Sequence, residues 1–228
     1  MSESAIERIY PQPSVERITK ILTHRFGRPA LGNKKNPFNE LLYIILSSKT
    51  RPKHYQETYR ALRRTYIRAS DLANTNPRDV AQTINRGGLQ NLKARNIVRI
   101  AQCLKKEFGR VTLAPLARMP DQEAEDFLVS LPGVSKKTAR CVMMYALSRD
   151  VFPVDSNCFR ISQRLGWISS GASLTNRQAD IIQAGIPSHL RRDLHVAMVV
   201  LGRRYCLPKI PCCHRCPLAE ICLTGRKA

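Results

Sequence analysis

Cys206, Cys213, Cys216 and Cys222 are spaced C-x6-C-x2-C-x5-C, four thiols within 17 residues near the C-terminus. So short a segment cannot bury a core of its own, but four thiolates can converge on one metal centre and tie an irregular loop around it. Donors of this kind suit either Zn or a [4Fe-4S] cluster, and spacing by itself leaves both open. Cys212 adjoins Cys213, but using it as a ligand would break the x6 and x2 spacings together. Pro208, Lys209 and Arg215 lie beside these thiols, so a clipped loop would present cations to a polyanion. Cys103, Cys141 and Cys158 sit among apolar helical neighbours and read as packing residues.

A second chemically suggestive string lies upstream, Leu131-Pro132-Gly133-Val134-Ser135-Lys136-Lys137-Thr138-Ala139. A Pro-Gly turn between two helical patterns lets backbone N–H groups face outward at the start of the second helix, where the helix dipole favours an anion. A DNA phosphate fits such a site without base-specific contact; a helix-turn-helix with glycine is also a common packing device. The whole chain favours the first use. It carries 38 Lys and Arg against 17 Asp and Glu, a net charge of +21, which attracts polyanions and releases counterions on binding phosphate. Scattered cations can equally be a solvated surface, and an acidic membrane surface is the less favoured partner.

These strings need a scaffold, and 228 residues at 43% hydrophobic content supply one generous core or two modest ones. Periodicity predicts helices from Ser14 through Val15, Ile18 and Leu22, over Phe38 to Leu46, Tyr55 to Tyr66, Leu92 to Phe108, Asp121 to Ser130, Lys136 to Ala146 and Asp193 to Arg203. Ser70 and Asn76 are read as caps of two short helices, Gly87-Gly88 as a break, and Gly109 as a stop. No convincing alternating strand emerges, and prolines fall between helical stretches, so the class is all-α. Residues 1–13 read as a loose start. No run approaches the roughly 18 apolar residues of a membrane span, and the N-terminus lacks a secretory core, so an intracellular, reducing location is expected, cytoplasm and nucleoid or nucleus.

The Leu131–Ala139 string resembles the helix-hairpin-helix of the HhH-GPD DNA glycosylase superfamily. With Val154-Asp155-Ser156-Asn157 downstream, and with the cysteine spacing that the endonuclease III-like branch uses to hold a [4Fe-4S] cluster, the likeness extends from about residue 38 to 222. It implies a two-part fold, a six-helix barrel over 38–149 bearing the hairpin and a helical domain from 1–37 and 150–228 that ends in the cluster loop 206–222. It implies Lys137 as catalytic nucleophile and Asp155 as catalytic aspartate, facing one another across a cleft. It also implies Leu131, Gly133, Val134, Ser135 and Lys136 as the DNA-binding hairpin, and the four cysteines as cluster ligands. A neutral amine can attack the anomeric carbon of a flipped nucleotide and leave a Schiff base that permits β-elimination, a second step closed to a hydroxyl or carboxylate. The implied activity is therefore that of a bifunctional glycosylase and AP lyase of base excision repair, acting as a monomer on damaged, oxidised pyrimidines in double-stranded DNA. Lys137 taken alone could be a phosphate-contacting lysine. Asp155 could be the N-cap of the following helix as well as a catalytic group.

Two loops complete the resemblance. Arg86-Gly87-Gly88-Leu89-Gln90-Asn91 is similar to the family's intercalating loop, with Leu89 as wedge and Gln90 beside it; Leu89 could also be the first core residue of the next helix. Ser47-Ser48-Lys49-Thr50 stands where endonuclease III-like enzymes carry a glutamine that fills the gap opposite the orphaned base. Lys49, a cation that donates but cannot accept, departs from that pattern. Ser135 likewise replaces the hairpin's second glycine. The segment around Phe152–Asn157, Arg164–Trp167 and Leu194-His195 is also similar to plant 5-methylcytosine glycosylases, which keeps mismatched or modified pyrimidines (G·T, 5-methylcytosine-like) as an alternative substrate; a non-catalytic DNA-binding iron–sulfur protein is the other alternative. His195 is read as a core or capping residue.

Overall fold

The computed structural model describes residues 14–227, so the expectation for 1–13 lies outside the described residues. The regular elements of the described residues are all helical, with no strand among them. The α-helices are α1 (Val15–Phe26), α2 (Pro37–Ser47), α3 (Pro52–Thr65), α4 (Pro77–Thr83), α5 (Gln90–Phe108), α6 (Asp121–Ser130), α7 (Lys136–Ala146), α8 (Ser156–Leu165), α9 (Asn176–Ala184) and α10 (Arg191–Arg204). They separate into two units, one over Gly32–Arg149 and the other joining the described residues before Gly32 to those after Arg149.

Local chemistry sets the boundaries. Proline stands at the first helical position of α2, α3 and α4, where its missing N–H costs nothing. Ser14, Asn36, Asn76 and Ser135 each accept a backbone N–H of the helix they open. Gly109 closes α5 in the left-handed region at φ 70. Ser70 is not a cap: it lies inside a 3-10 turn, Ala69–Ala73, opened by Arg68, whose N–H is taken by the Asp71 carboxylate at 3.0 Å. Asp71 outcompetes a serine hydroxyl because an ionised acceptor makes the stronger bond.

In the first unit α2 is apolar almost all round, buried from Leu41 to Leu46, and packs against α3 and α7. A helix without a polar face belongs at the centre of its unit. The other unit gathers α1, α8 and α10 around Ile18, Leu22, Phe152, Ile161, Leu165, Leu194 and Met198. Cys141 and Cys158 are buried, as packing residues should be. Cys103 is exposed instead. Ala94, Ile97, Val98, Ala101 and Leu104 form the buried stripe of α5, and Cys103 falls off it beside the exposed Gln102.

Candidate functional site

The hairpin joins α6 to α7 through a turn in which Val134 N donates to Leu131 O at 3.1 Å. Gly133 adopts φ 74, and a Cβ there would run into the Asn96 side chain of α5, so both torsion and space demand glycine. Leu131 and Val134 are buried and hold the turn down, so only their backbone is available to a ligand. Gly133 and Ser135 are exposed. Ser135 keeps a negative φ of −85 and caps α7, its Oγ accepting from Thr138 N at 3.3 Å. The side chain in place of a glycine therefore serves the helix without straining the turn.

Lys136 and Lys137 are the first two residues of α7. Lys137 thus stands within the first turn, beside the positive end of the helix dipole. The two lysines have different surroundings. Lys136 Nζ lies 3.3 Å from Glu125 Oε1, and Arg140 Nε donates to Glu125 Oε2 at 2.7 Å, so one buried carboxylate of α6 holds two cations of α7. Lys137 faces Glu40, a fully buried acid in the apolar run of α2. Burial pushes the Glu40 carboxyl above its ordinary value, opposed by hydrogen bonds from Lys34 N at 2.6 Å and Asn33 Nδ2 at 2.5 Å and by the charges of Lys34 and Lys137. Sequence reading passed over Glu40; its signal was an acid at a core position of an otherwise apolar helix.

In the other unit Asp155 is the N-cap of α8, its Oδ1 accepting from Asn157 N at 2.9 Å and Cys158 N at 2.8 Å. Oδ2 accepts from Asn157 Nδ2 at 3.1 Å. The chain of contacts continues: Arg160 Nη2 donates to Asn157 Oδ1 at 2.9 Å and to Cys206 O at 2.8 Å, so the first cysteine of the C-terminal set is tied to the carboxylate through two side chains. Gly202 is required here, since a Cβ would come within 2.6 Å of Asn157 Cβ. His195 is 3% exposed, edge-on to Phe152 at 5.6 Å and 3.5 Å from Cys158 Sγ, which fits a core role.

Cys206, Cys213, Cys216 and Cys222 line one small cavity with Arg164, Tyr205 and Pro211, and Cys212 is not part of its wall. Burial, joined by the neighbouring Cys206, Cys222 and Cys213, pushes the Cys216 thiol up to about 11 against a Leu218 hydrogen bond. Cys222 is raised by burial and by Cys206 and Cys213, opposed by hydrogen bonds from the Gly225 and Thr224 backbones. Thiols at Cys216 and Cys222 whose ionisation is opposed by burial and by neighbouring sulfurs fit a site whose charge is neutralised by a bound metal centre. Among the described residues no three His, Cys, Asp or Glu side chains form a group suited to a single ion. The donor set, not a preformed grip, carries the cofactor reading. Arg164 Nη1 donates to Cys206 Sγ at 3.1 Å and to Leu207 O at 2.7 Å, tying the loop to α8.

Leu89 and Lys49 occupy neighbouring exposed tips of the first unit. Leu89 is 49% exposed at φ 52, so it is not the first core residue of α5. Lys49 is exposed at φ 50, and Gln90, half-buried, begins α5.

A family profile described as HhH-GPD superfamily base excision DNA repair protein matches residues 42–183. Endonuclease III of Thermotoga maritima is 30% identical over 208 residues, 91% of this chain and 92% of the relative. DNA glycosylase/AP lyase ROS1 of Arabidopsis thaliana is 28% identical over 172 residues, 68% of this chain but 12% of the much longer relative. Among solved structures, a trapped endonuclease III–DNA covalent intermediate in an estranged-adenine complex superposes with a TM-score of 0.80 at 25% identity, covering 93% of this chain and 96% of that one.

Proposed function

The chain belongs to the HhH-GPD superfamily of base excision DNA repair proteins, and from that premise we propose that this DNA glycosylase is bifunctional, excising damaged, oxidised pyrimidines and then cutting the strand as an AP lyase. The observation that carries the reading is Lys137 in the first turn of α7, directly after the Leu131–Ser135 turn. In this reading the neutral Lys137 amine attacks C1′ of an extruded nucleotide. The glycosidic bond breaks, its electron pair leaving with the base, which takes up a proton. The amine gives up its two protons and the C1′–O4′ bond breaks, O4′ taking up a proton, to give a Schiff base. Removal of a C2′ proton then breaks the C3′–O bond, and the phosphate leaves. Asp155, in the other unit, stabilises positive charge on the sugar and assists proton movement. Its second oxygen is oriented by Asn157.

Cys206, Cys213, Cys216 and Cys222 would hold a [4Fe-4S] cluster, which supplies a structural clip for the loop and sets Lys209 and Arg215 toward a DNA backbone. The hairpin, through the Gly133 and Ser135 backbone and the first turn of α7, would hold a phosphate, and Leu89, Gln90 and Lys49 would meet the bases. Lys49 favours a second reading of the substrate, a mismatched or modified pyrimidine, because an ammonium cannot accept the hydrogen bond an amide accepts. The two units correspond in this reading to the six-helix barrel and the cluster domain, and the active species is a monomer.

Borohydride reduction during turnover tests the lysine mechanism and the substrate together, on duplexes carrying thymine glycol, 5-methylcytosine, a G·T mismatch or an abasic site. The expected result is a covalent adduct with a base-bearing duplex, absent from Lys137→Ala although that variant still binds DNA. Base release with no adduct and no strand cut would overturn the lyase assignment.

A further inference from the structure

Lys93 lies on the buried stripe of α5, 4% exposed, where an apolar residue would be expected. Its ammonium is saturated, donating to Leu46 O at 2.9 Å, Thr50 Oγ1 at 2.8 Å and Gly87 O at 2.7 Å. The placing has a physical logic. Leu46 is in the last turn of α2, whose final carbonyls lack helical partners, and Gly87 ends the 3-10 turn Asn85–Gly87. One cation therefore sits at the negative ends of two helical elements that lead into different loops. Thr50 closes the arrangement by also donating from its hydroxyl to Gly87 O. Immediately beyond these anchors the chain turns left-handed on both sides, at Lys49 (φ 50), Gly88 (φ 58) and Leu89 (φ 52). L-residues avoid that region, so Lys49 and Leu89 hold it only while their surroundings dictate it.

We propose that Lys93 is a positioning residue that locks the Lys49 and Leu89 loops into one rigid unit, so that the two exposed side chains enter a duplex together. The use on DNA rests on the reading of these tips given under the proposed function; the lock itself does not. Without the ammonium, two carbonyls and a hydroxyl lose their shared donor, and each loop can relax its left-handed residue independently. The wedge and the side chain facing the orphaned base then cease to be one device.

Hydrogen exchange of the full-length protein, without DNA, tests the lock in Lys93→Met, which keeps the apolar stem. Amides of Lys49–Thr50 and of Gly88–Leu89 are expected to exchange at least about tenfold faster together, while those of α2 and α7 keep their protection. Loosening of one loop alone, or of neither, would overturn the proposal. If Lys93→Met does not fold, Thr50→Val removes the shared hydroxyl with Lys93 in place and should loosen the same two loops to a smaller extent; unchanged exchange in Thr50→Val would count against the lock. On DNA, 2-aminopurine fluorescence beside a lesion reads extrusion. With Lys93 present, Lys49→Ala and Leu89→Ala should be non-additive by about fivefold, and with Lys93→Met additive. If neither alanine variant alters extrusion although the exchange result holds, it is the DNA-facing reading that fails and not the lock.

Discussion

Asp155 can be asked separately for its cap and for the catalytic role proposed for it, because its Oδ1 caps α8 while its Oδ2 faces Asn157. Asp155→Asn keeps an acceptor at the cap and removes the charge, so base excision should fall by at least about 100-fold with the melting temperature nearly unchanged. Asp155→Ala should lose activity and also about 1 kcal/mol of stability, the usual worth of a cap. Equal stability losses in the two variants, read by urea denaturation, would show that the charge and not the cap is structural. Lys93 gives a pH signature. Burial pushes it down to about 8 from an ordinary 10.5, so between those values the unfolded chain still holds a proton that the native state has released. Stability then rises with pH through that window, and is lowest relative to an uncharged residue below it. Lys93→Met should lack this rise, a difference measurable by urea denaturation from pH 7.5 to about 10. Asp155 was legible because V-D-S-N is a contiguous string and its capping chemistry is local. Lys93 and Glu40 were not, since a charged residue in an apolar stripe announces burial without naming its partners, and those lie 47, 43 and six residues away for Lys93 and seven and six for Glu40.

At the scale of elements, the hairpin makes a contrast between two glycine positions. Gly133→Ala must accommodate both a left-handed φ and the Asn96 side chain. It should cost about 2 kcal/mol or more and weaken binding to an abasic-site analogue about tenfold, since the backbone proposed to hold a phosphate moves with the turn. Ser135→Gly restores the glycine usual in related hairpins but loses the Oγ cap on Thr138 N; glycine is itself a tolerable cap, so only a few tenths of a kcal/mol should go. Calorimetry with an affinity measurement on each variant checks both, and a Gly133→Ala protein with normal affinity would mean that the turn is not the phosphate site. Helices were readable wherever an apolar stripe repeats, as in α5, and where Asn marks a start, as at α4; at α2 the Asn36 cap and Pro37 were passed over and the helix was read from Phe38. The Arg68–Asp71 turn was missed because two residues compete to open it and the choice is electrostatic. Cys103 was misplaced by one step around a helix, a 100° error that moves a side chain from core to water.

For the whole molecule, 38 basic residues against 17 acidic ones make DNA affinity an ionic-strength measurement before it is a sequence measurement. Several of those cations are committed inside the protein. Lys93, Arg140, Lys136, Arg160 and Arg164 are bound to carbonyls, carboxylates or sulfur, so a count of basic residues overstates what DNA can meet. Binding to undamaged duplex should weaken steeply with salt, about 0.9 in log–log slope for each phosphate neutralised. The cysteine loop should contribute part of that slope. Substituting Cys213→Ala is expected to remove iron and inorganic sulfide from the purified protein, and to release Lys209 and Arg215 from a fixed position. The slope should then fall by about 1 to 2 while the hairpin's share persists. Double substitution of Lys209 and Arg215 by alanine, with all four cysteines retained, separates the contributions. It should reproduce the reduced slope while iron and sulfide stay bound. An unchanged slope in that variant would mean that the loop is clipped for the sake of its own unit, in which Cys206 also anchors Arg160 and through it Asn157 and Asp155.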